Sequence, residues 1–375
     1  MSSFGTIFRL TTAGESHCNG VTAIVDGVPP GLHDLTTPRN ESDLVKIQSG
    51  VEHGVTLGSP IALFVPNKDQ RPHDYSETDF YPRPSHADWT YLLKYGIKSS
   101  SGGGRSSARE TIARVAAGAI AEKFLRIAYG VEIVAFVSGV GPVHLSSKSF
   151  SPPTVNGSNG THRDEEEDYS GPEYLQFLSN ITREEVDKSF VRCPHEPTAS
   201  RMTQRIIEAK AADDSIGGTV TCVIKNCPTA KLAHAIMSIP ATKGFEIGSG
   251  FKGVEMAGSQ HNDMFTKGSN GLSTTTNRSG GIQGGISNGE NIYFRCAFKP
   301  PATIAKEQQT ATYNGDSGVL AARGRHDPCV VPRAVPSLNR WPLCAVLLQN
   351  ARTSFSSLLP KPTTLPPTMM MPPSI

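Results

Sequence analysis

The sequence has no run of about 18 apolar residues, the length a membrane-spanning helix needs, and Met1 to Thr12 has no apolar stretch of the kind a secretory signal carries. Neither sign of charge dominates. Lys and Arg number 36 against 34 Asp and Glu, a formal net charge of +2. That balance gives no case for general nucleic-acid binding, so any basic site has to be local. Disulfide and zinc signatures are missing as well. The seven cysteines (18, 193, 222, 227, 296, 329 and 344) contain no Cys-x-x-Cys pair. An odd number in a long chain fits free thiols in a reducing compartment, here the cytosol. No internal repeat is evident.

What the sequence does contain in quantity is glycine (36) and proline (28), which point to many turns and loops. The most informative stretch runs from Ser99 to Tyr129. There Ser99-Ser100-Ser101-Gly102-Gly103-Gly104-Arg105-Ser106-Ser107 leads directly into a helical pattern over roughly 107–129. Ile112, Val115, Ala116, Ile120 and Phe124 recur at steps that place them on one face, and Gly130 is suited to end the helix. Free backbone N–H groups and the positive end of the dipole attract anions at a helix N-terminus. Arg105 and Arg109 add forked donors suited to phosphate. Residues 102–109 therefore read as a phosphate or phosphate-ester site. They form neither a Walker loop nor a Gly-x-Gly-x-x-Gly turn. A flexible Gly/Ser linker ahead of an ordinary amphipathic helix is the alternative that composition leaves open.

Strands are expected over 4–12, 21–25, 61–65, 131–140, 219–224 and 292–298, and helices over 199–212 and 232–239. Three histidines stand beside acids, alcohols or arginines. His17 follows the first strand in Gly14-Glu15-Ser16-His17-Cys18, a candidate acid/base group. His86 lies in Arg83-Pro84-Ser85-His86-Ala87-Asp88, where spacing alone reads it first as a His satisfied by Asp88. His326 lies in Gly324-Arg325-His326-Asp327-Pro328-Cys329. Residues 268–289, rich in Gly, Ser, Thr and Asn, read either as disordered or as a loop closely approaching a flat ligand. Residues 146–185, with the acidic run 164–168, read as an exposed polar insertion. After Pro336 the chain has seven prolines and no acid. The reading is thus a single domain over 1–336 and a disordered or aberrant tail over 337–375.

Taken together and in order, six segments resemble chorismate synthase. They are Gly14-Glu15-Ser16-His17, Arg83-Pro84-Ser85-His86-Ala87-Asp88, the segment from Gly102 to Thr111, Asp214-Ser215-Ile216-Gly217-Gly218, Gly280-Gly281-Ile282-Gln283-Gly284-Gly285-Ile286-Ser287, and Gly324-Arg325-His326-Asp327-Pro328-Cys329. The acidic insertion is similar to the fungal form of the family, which is often bifunctional. The resemblance implies an α+β fold, a β-α-β sandwich in which antiparallel sheets enclose helices, assembled as a homotetramer. It implies a lyase that converts 5-enolpyruvylshikimate 3-phosphate to chorismate and phosphate by 1,4-elimination in the shikimate pathway of aromatic amino-acid biosynthesis. The implied cofactor is reduced FMN, and the fungal form leaves room for NADPH and a flavin reductase activity. Carried over residue by residue, His17, His86, Asp327 and Ser16 are the expected catalytic groups. His17 and Arg109 are the expected substrate contacts. Arg105, Ser106, Ser107, Pro240, Ala241, Gly284, Lys299, Pro300, Pro301, Ala302, Thr303 and Arg325 are the expected flavin contacts. Two departures accompany the match. Only His33-Asp34-Leu35 separate Leu32 from Thr36, where the family has about twenty more residues with an Arg-rich loop, and the sequence after Pro336 differs from the family's apolar helix. The missing loop implies a second reading, a flavin-binding homologue with impaired turnover or a non-catalytic subunit of a tetramer.

Overall fold

The structure, a computed structural model, describes residues 3–5, 8–14, 18–28, 44–67, 80–97, 104, 107–150, 169, 171–226, 236–268, 271–283, 286–322 and 327–346. Two five-stranded antiparallel sheets organise it. The first holds β1 (Ser3–Phe4), β2 (Arg9–Ala13), β3 (Gly20–Asp26), β4 (Lys46–Ile47) and β5 (Ile61–Pro66), in the order β1-β2-β3-β5-β4. The second holds β6 (Glu132–Val140), β7 (Val143–His144), β8 (Gly218–Lys225), β9 (Thr242–Ile247) and β10 (Ile292–Phe298), in the order β9-β10-β8-β6-β7. Two helices lie between them. α2 (Thr111–Tyr129) packs on β2, β3 and β5; α6 (Val331–Val346) packs on β6 and β8; and the two helices pack on each other. The result is the expected α+β sandwich, antiparallel sheets around a helical layer. Helices α1 (Asp88–Tyr95), α3 (Pro172–Asn180), α4 (Arg183–Asp187) and α5 (Glu196–Ala211) complete the set used below.

Burial follows the layering. β5 alternates buried and half-buried residues, as a sheet covered on one face does. In β6 every residue after Glu132 is buried, because the second sheet is covered on both faces. Neighbouring residues of β8 show it: Thr221 meets the Tyr174 hydroxyl of α3 at 3.5 Å, while Cys222 donates to the Leu338 carbonyl of α6. Gly118 lets the two central helices approach closely. A Cβ there would sit 2.6 Å from the Arg340 carbonyl oxygen.

Several expectations need correction. The single strand over 4–12 is instead a hairpin, β1 and β2, broken around Gly5, whose φ of +86° suits glycine. The helix expected from 107 starts with a 3₁₀ turn, Ala108–Glu110, capped by the Ser107 side chain. Its buried face is set by Ala113, Ala117, Ile120, Ala121 and Phe124, with Ile112, Val115 and Ala116 only half-buried, since small residues permit close packing between two layers. The segment 146–185 is not wholly an exposed insertion. Over 172–180 it forms α3, and Tyr174 and Leu178 pack into the core. The boundary at Pro336 is also too early, because α6 continues to Val346 with Ser337 and Leu338 buried. Pro336 and Pro342, the two of its three prolines that lie past the first turn of α6, withhold N–H groups from the helix ladder. The carbonyls four residues back find other donors: Pro332 takes the Arg192 guanidinium at 2.8 Å, and Leu338 takes the Cys222 thiol at 3.6 Å. Most of the helix expected over 232–239 lies outside the described residues.

Candidate active site

Ser16, His17, Arg105, Ser106, Gly284 and Arg325 lie outside the described residues, as does the shortened segment around His33-Asp34-Leu35. The other expected site residues fall into connected groups. At the entrance to α1, Arg83, only 4% exposed, grips Asp88 with Nε on Oδ2 and Nη2 on Oδ1, both at 2.8 Å. His86 Nδ1 lies 2.8 Å from the same Oδ1. A carboxylate only accepts, so this contact puts the proton on Nδ1 and leaves Nε2 as the ring atom available for proton exchange. The 3.1 Å approach of Arg83 Nη2 to Nδ1 is then a contact between two donors that share the carboxylate. Burial pushes the Asp88 carboxyl up, but the Arg83 and His86 hydrogen bonds outweigh it and hold Asp88 well below the usual carboxylate range.

Arg83 also connects this group to the flavin candidates, because its Nη1 reaches Thr303 Oγ1 at 3.4 Å. Lys299 fixes two unusual turns at once. Its ammonium donates to the Ser85 carbonyl and its backbone N–H donates to the Ala241 carbonyl at 3.0 Å. Ser85 (φ +58°) and Ala241 (φ +67°) are both non-glycine residues in the left-handed region. Such residues cost about 1–3 kcal/mol each and persist where neighbours over-determine them. Burial, with the Lys243 charge adding to it, lowers the pKa of Lys299. Pro300 is exposed and Pro301 to Thr303 half-buried along the same segment, and the Pro301 carbonyl accepts from Ser215 Oγ at 2.7 Å. Ile216 N–H donates to the Pro328 carbonyl at 2.8 Å, which brings Asp327 toward this group, and Asp327 is ion-paired with Arg333.

The second group opens α2. Ser107 Oγ accepts from the Arg109 N–H at 3.2 Å. The Arg109 side chain donates to Asn67 Oδ1 at 2.7 Å and to the Pro66 carbonyl at 3.2 Å, which anchors it to the end of β5. Near the glycine-rich loop, Asp263 accepts from Thr276 Oγ1 (2.6 Å), Arg278 N–H (2.8 Å) and Ser279 N–H (2.9 Å). These bonds outweigh burial and lower its pKa. They also give residues 276–279 a defined conformation, which excludes disorder over that part of the loop.

A flavin nucleotide needs a flat apolar platform, cations and donors for its phosphate and polar ring edge. The Pro300–Ala302 run, Lys299 and the Ser107–Arg109 turn match those requirements in kind. Sequence reasoning passed over Arg83, Glu110, Arg114 and Asp263. The first was visible as the flank of the His86 motif, and Glu110–Arg114 as an i,i+4 pair. Nothing local marked Asp263.

A profile of the chorismate synthase family matches residues 32–350. The chorismate synthase of Schizosaccharomyces pombe is 57% identical over 398 aligned positions, which cover 96% of this chain and 99% of that protein. That of Saccharomyces cerevisiae is 52% identical over 388 positions, covering 94% and 98%. Both alignments are longer than the 375-residue chain, so these relatives hold residues that it lacks. A crystal structure of chorismate synthase superposes with a TM-score of 0.68 and 29% identity, covering 94% of this chain and 95% of the other. Sequence and architecture thus agree over nearly the full length, and the chain belongs to the chorismate synthase family and has that family's function, the synthesis of chorismate.

Proposed function

We propose that the chain forms chorismate from 5-enolpyruvylshikimate 3-phosphate by 1,4-elimination, with reduced FMN as cofactor and the roles inferred from the motifs. The carbon–oxygen bond to phosphate breaks, a carbon-bound proton leaves at the far end of the allylic system, and a new double bond forms. The reaction has no net redox change. Bound reduced FMN supplies electron density that helps the allylic phosphate depart.

The chain's own groups handle binding and protons. Arg109, with two donor positions tied to Asn67 and Pro66, keeps a fixed cation at the α2 entrance for a dianionic phosphate. His17 hands a proton to the departing phosphate, with Ser16 as relay. His86 exchanges its proton through Nε2 at the polar edge of the cofactor, because Asp88 holds Nδ1. Asp327 assists proton movement there. Lys299 to Thr303, Pro240–Ala241 and Ser107 hold the cofactor, together with Arg105, Ser106, Gly284 and Arg325. The observation that carries this reading is the Arg83–Asp88–His86 constellation, joined through Arg83 and Lys299 to the proposed flavin segments. Substituting His17 or His86 by Ala tests it. Each is expected to lower chorismate formation by about 10²–10⁴-fold while the protein still quenches FMN fluorescence; turnover within a few-fold of wild type overturns the assigned roles.

The fungal likeness extends the reading to a homotetramer in the cytosol that uses NADPH to reduce its own flavin. Sedimentation velocity tests the assembly, and an aerobic assay with NADPH and oxidised FMN tests the reductase. Among the described residues no helix is long and apolar enough to cross a membrane.

A further inference from the structure

Two of the most deeply buried charges in the described residues lie outside the roles assigned above. Glu110 is 2% exposed and Arg114 is 5% exposed. They sit one helical turn apart where the 3₁₀ turn passes into α2, and Arg114 Nε donates to Glu110 Oε2 at 2.9 Å. Other bonds reach out of the helix. Glu110 Oε1 accepts from Thr12 Oγ1 of β2 at 2.7 Å. Arg114 Nη1 donates to Ser238 twice, to Oγ at 2.7 Å and to the carbonyl at 3.1 Å. Its guanidinium lies 4.9 Å from the centre of the Phe4 ring.

A buried ion pair is weak grounds for stability, since well-packed apolar replacements are often neutral or stabilising. Its directional hydrogen bonds, however, fix distances that apolar packing leaves looser. Here they fix the spacing between two segments. Glu110 directly follows the Ser107–Arg109 turn, and Ser238 stands two residues before the Pro240–Ala241 turn. Ala241 in turn is held by the Lys299 N–H. We propose that Glu110 and Arg114 are positioning residues that set the separation between the Ser107–Arg109 turn and the Pro240–Ala241 turn, so that both grip one flavin nucleotide. This rests on the flavin assignment above. Thr12 ties the pair to the first sheet, on the strand that leads in sequence to Ser16 and His17.

The test is titration of oxidised FMN into purified protein, followed by flavin fluorescence, alongside thermal unfolding. Arg114→Lys keeps the charge opposite Glu110 and loses the fork that reaches Ser238. It is expected to keep its circular dichroism spectrum and to bind FMN about 10- to 100-fold more weakly, the equivalent of one to two charge-assisted hydrogen bonds. The double variant Glu110→Leu/Arg114→Met removes both charges at similar volume. It is expected to unfold at or above the wild-type temperature and still to show the weakened binding. FMN affinity within twofold of wild type in either folded variant overturns the proposal. Should the double variant not fold, Arg114→Lys decides alone; should it fold with intact affinity, the pair is structural only. A wild-type chain that does not quench FMN fluorescence overturns the flavin assignment first and the proposal with it, a result distinct from failure of the variants alone.

Discussion

Asp88 shows how one carboxylate can set the chemistry of a neighbour. It anchors Arg83 bidentately and fixes the His86 tautomer with the same oxygen. Asp88→Asn keeps the shape, yet its amide cannot serve as a purely accepting partner on both sides. We expect kcat to fall about 10- to 100-fold, the usual cost of losing such a supporting group, with KM for the substrate nearly unchanged. Steady-state kinetics with saturating reduced flavin checks this, and a loss carried by KM instead would place His86 in binding. The same carboxylate should also be visible in acid stability. Its native pKa is depressed, so between the unfolded carboxylate value of about 3.9 and the lower native value the unfolded chain binds more protons. Stability from Asp88 is therefore present above about pH 4 and lost as pH falls through the native value. Urea midpoints measured from pH 6 downward should drop more steeply in wild type than in Asp88→Asn. Parallel curves would mean that Asp88 is not ionically held. The adjacency of His86 and Asp88 was legible from two-residue spacing; that Arg83 is nearly sealed from solvent and shared with Thr303 was not, because Thr303 is distant in sequence.

At the scale of elements, α2 and α6 form the layer on which both sheets rest, and at Gly118 they pack too closely for a side chain. Gly118→Ala would press a methyl group against the Arg340 backbone, which cannot turn aside as a flexible side chain can. Overpacking of this kind costs about 1–3 kcal/mol, read as a lower urea midpoint at unchanged slope. An unchanged midpoint would show that the helices can separate freely there. β8 and β10 were readable within a residue or so at each end, since runs such as Val220–Ile224 and Ile292–Phe298 are apolar and β-rich. Helix α6 was not, because Pro336 and Pro342 are strong local stop signals. Arg192 and Cys222 overcome them by binding the carbonyls the prolines leave without a helical donor, and those donors come from other elements. Likewise the apolar spacing of Tyr174 and Leu178 in α3 was masked by its acidic surroundings in sequence.

At the scale of the molecule, the alternation of strands and helices was legible, whereas the pairing was not. β8 binds β6 and β10, partners some eighty and seventy residues away, and no local pattern records that. The sandwich expectation came from the order of six short motifs, and among the described residues the Ile216 N–H to Pro328 carbonyl bond joins two of them across more than a hundred residues of sequence. Function follows the same division: the motifs pointed to the family and to the His86–Asp88 pair, and geometry added the burial of Arg83 and the buried Glu110–Arg114 pair. With its short span between Leu32 and Thr36, this chain is expected to complete the elimination. The most direct measurement is anaerobic turnover of 5-enolpyruvylshikimate 3-phosphate with photoreduced FMN, following chorismate absorbance and phosphate release together. Chorismate and phosphate are expected in equal amounts over many turnovers. Bound flavin with neither product would contradict that expectation.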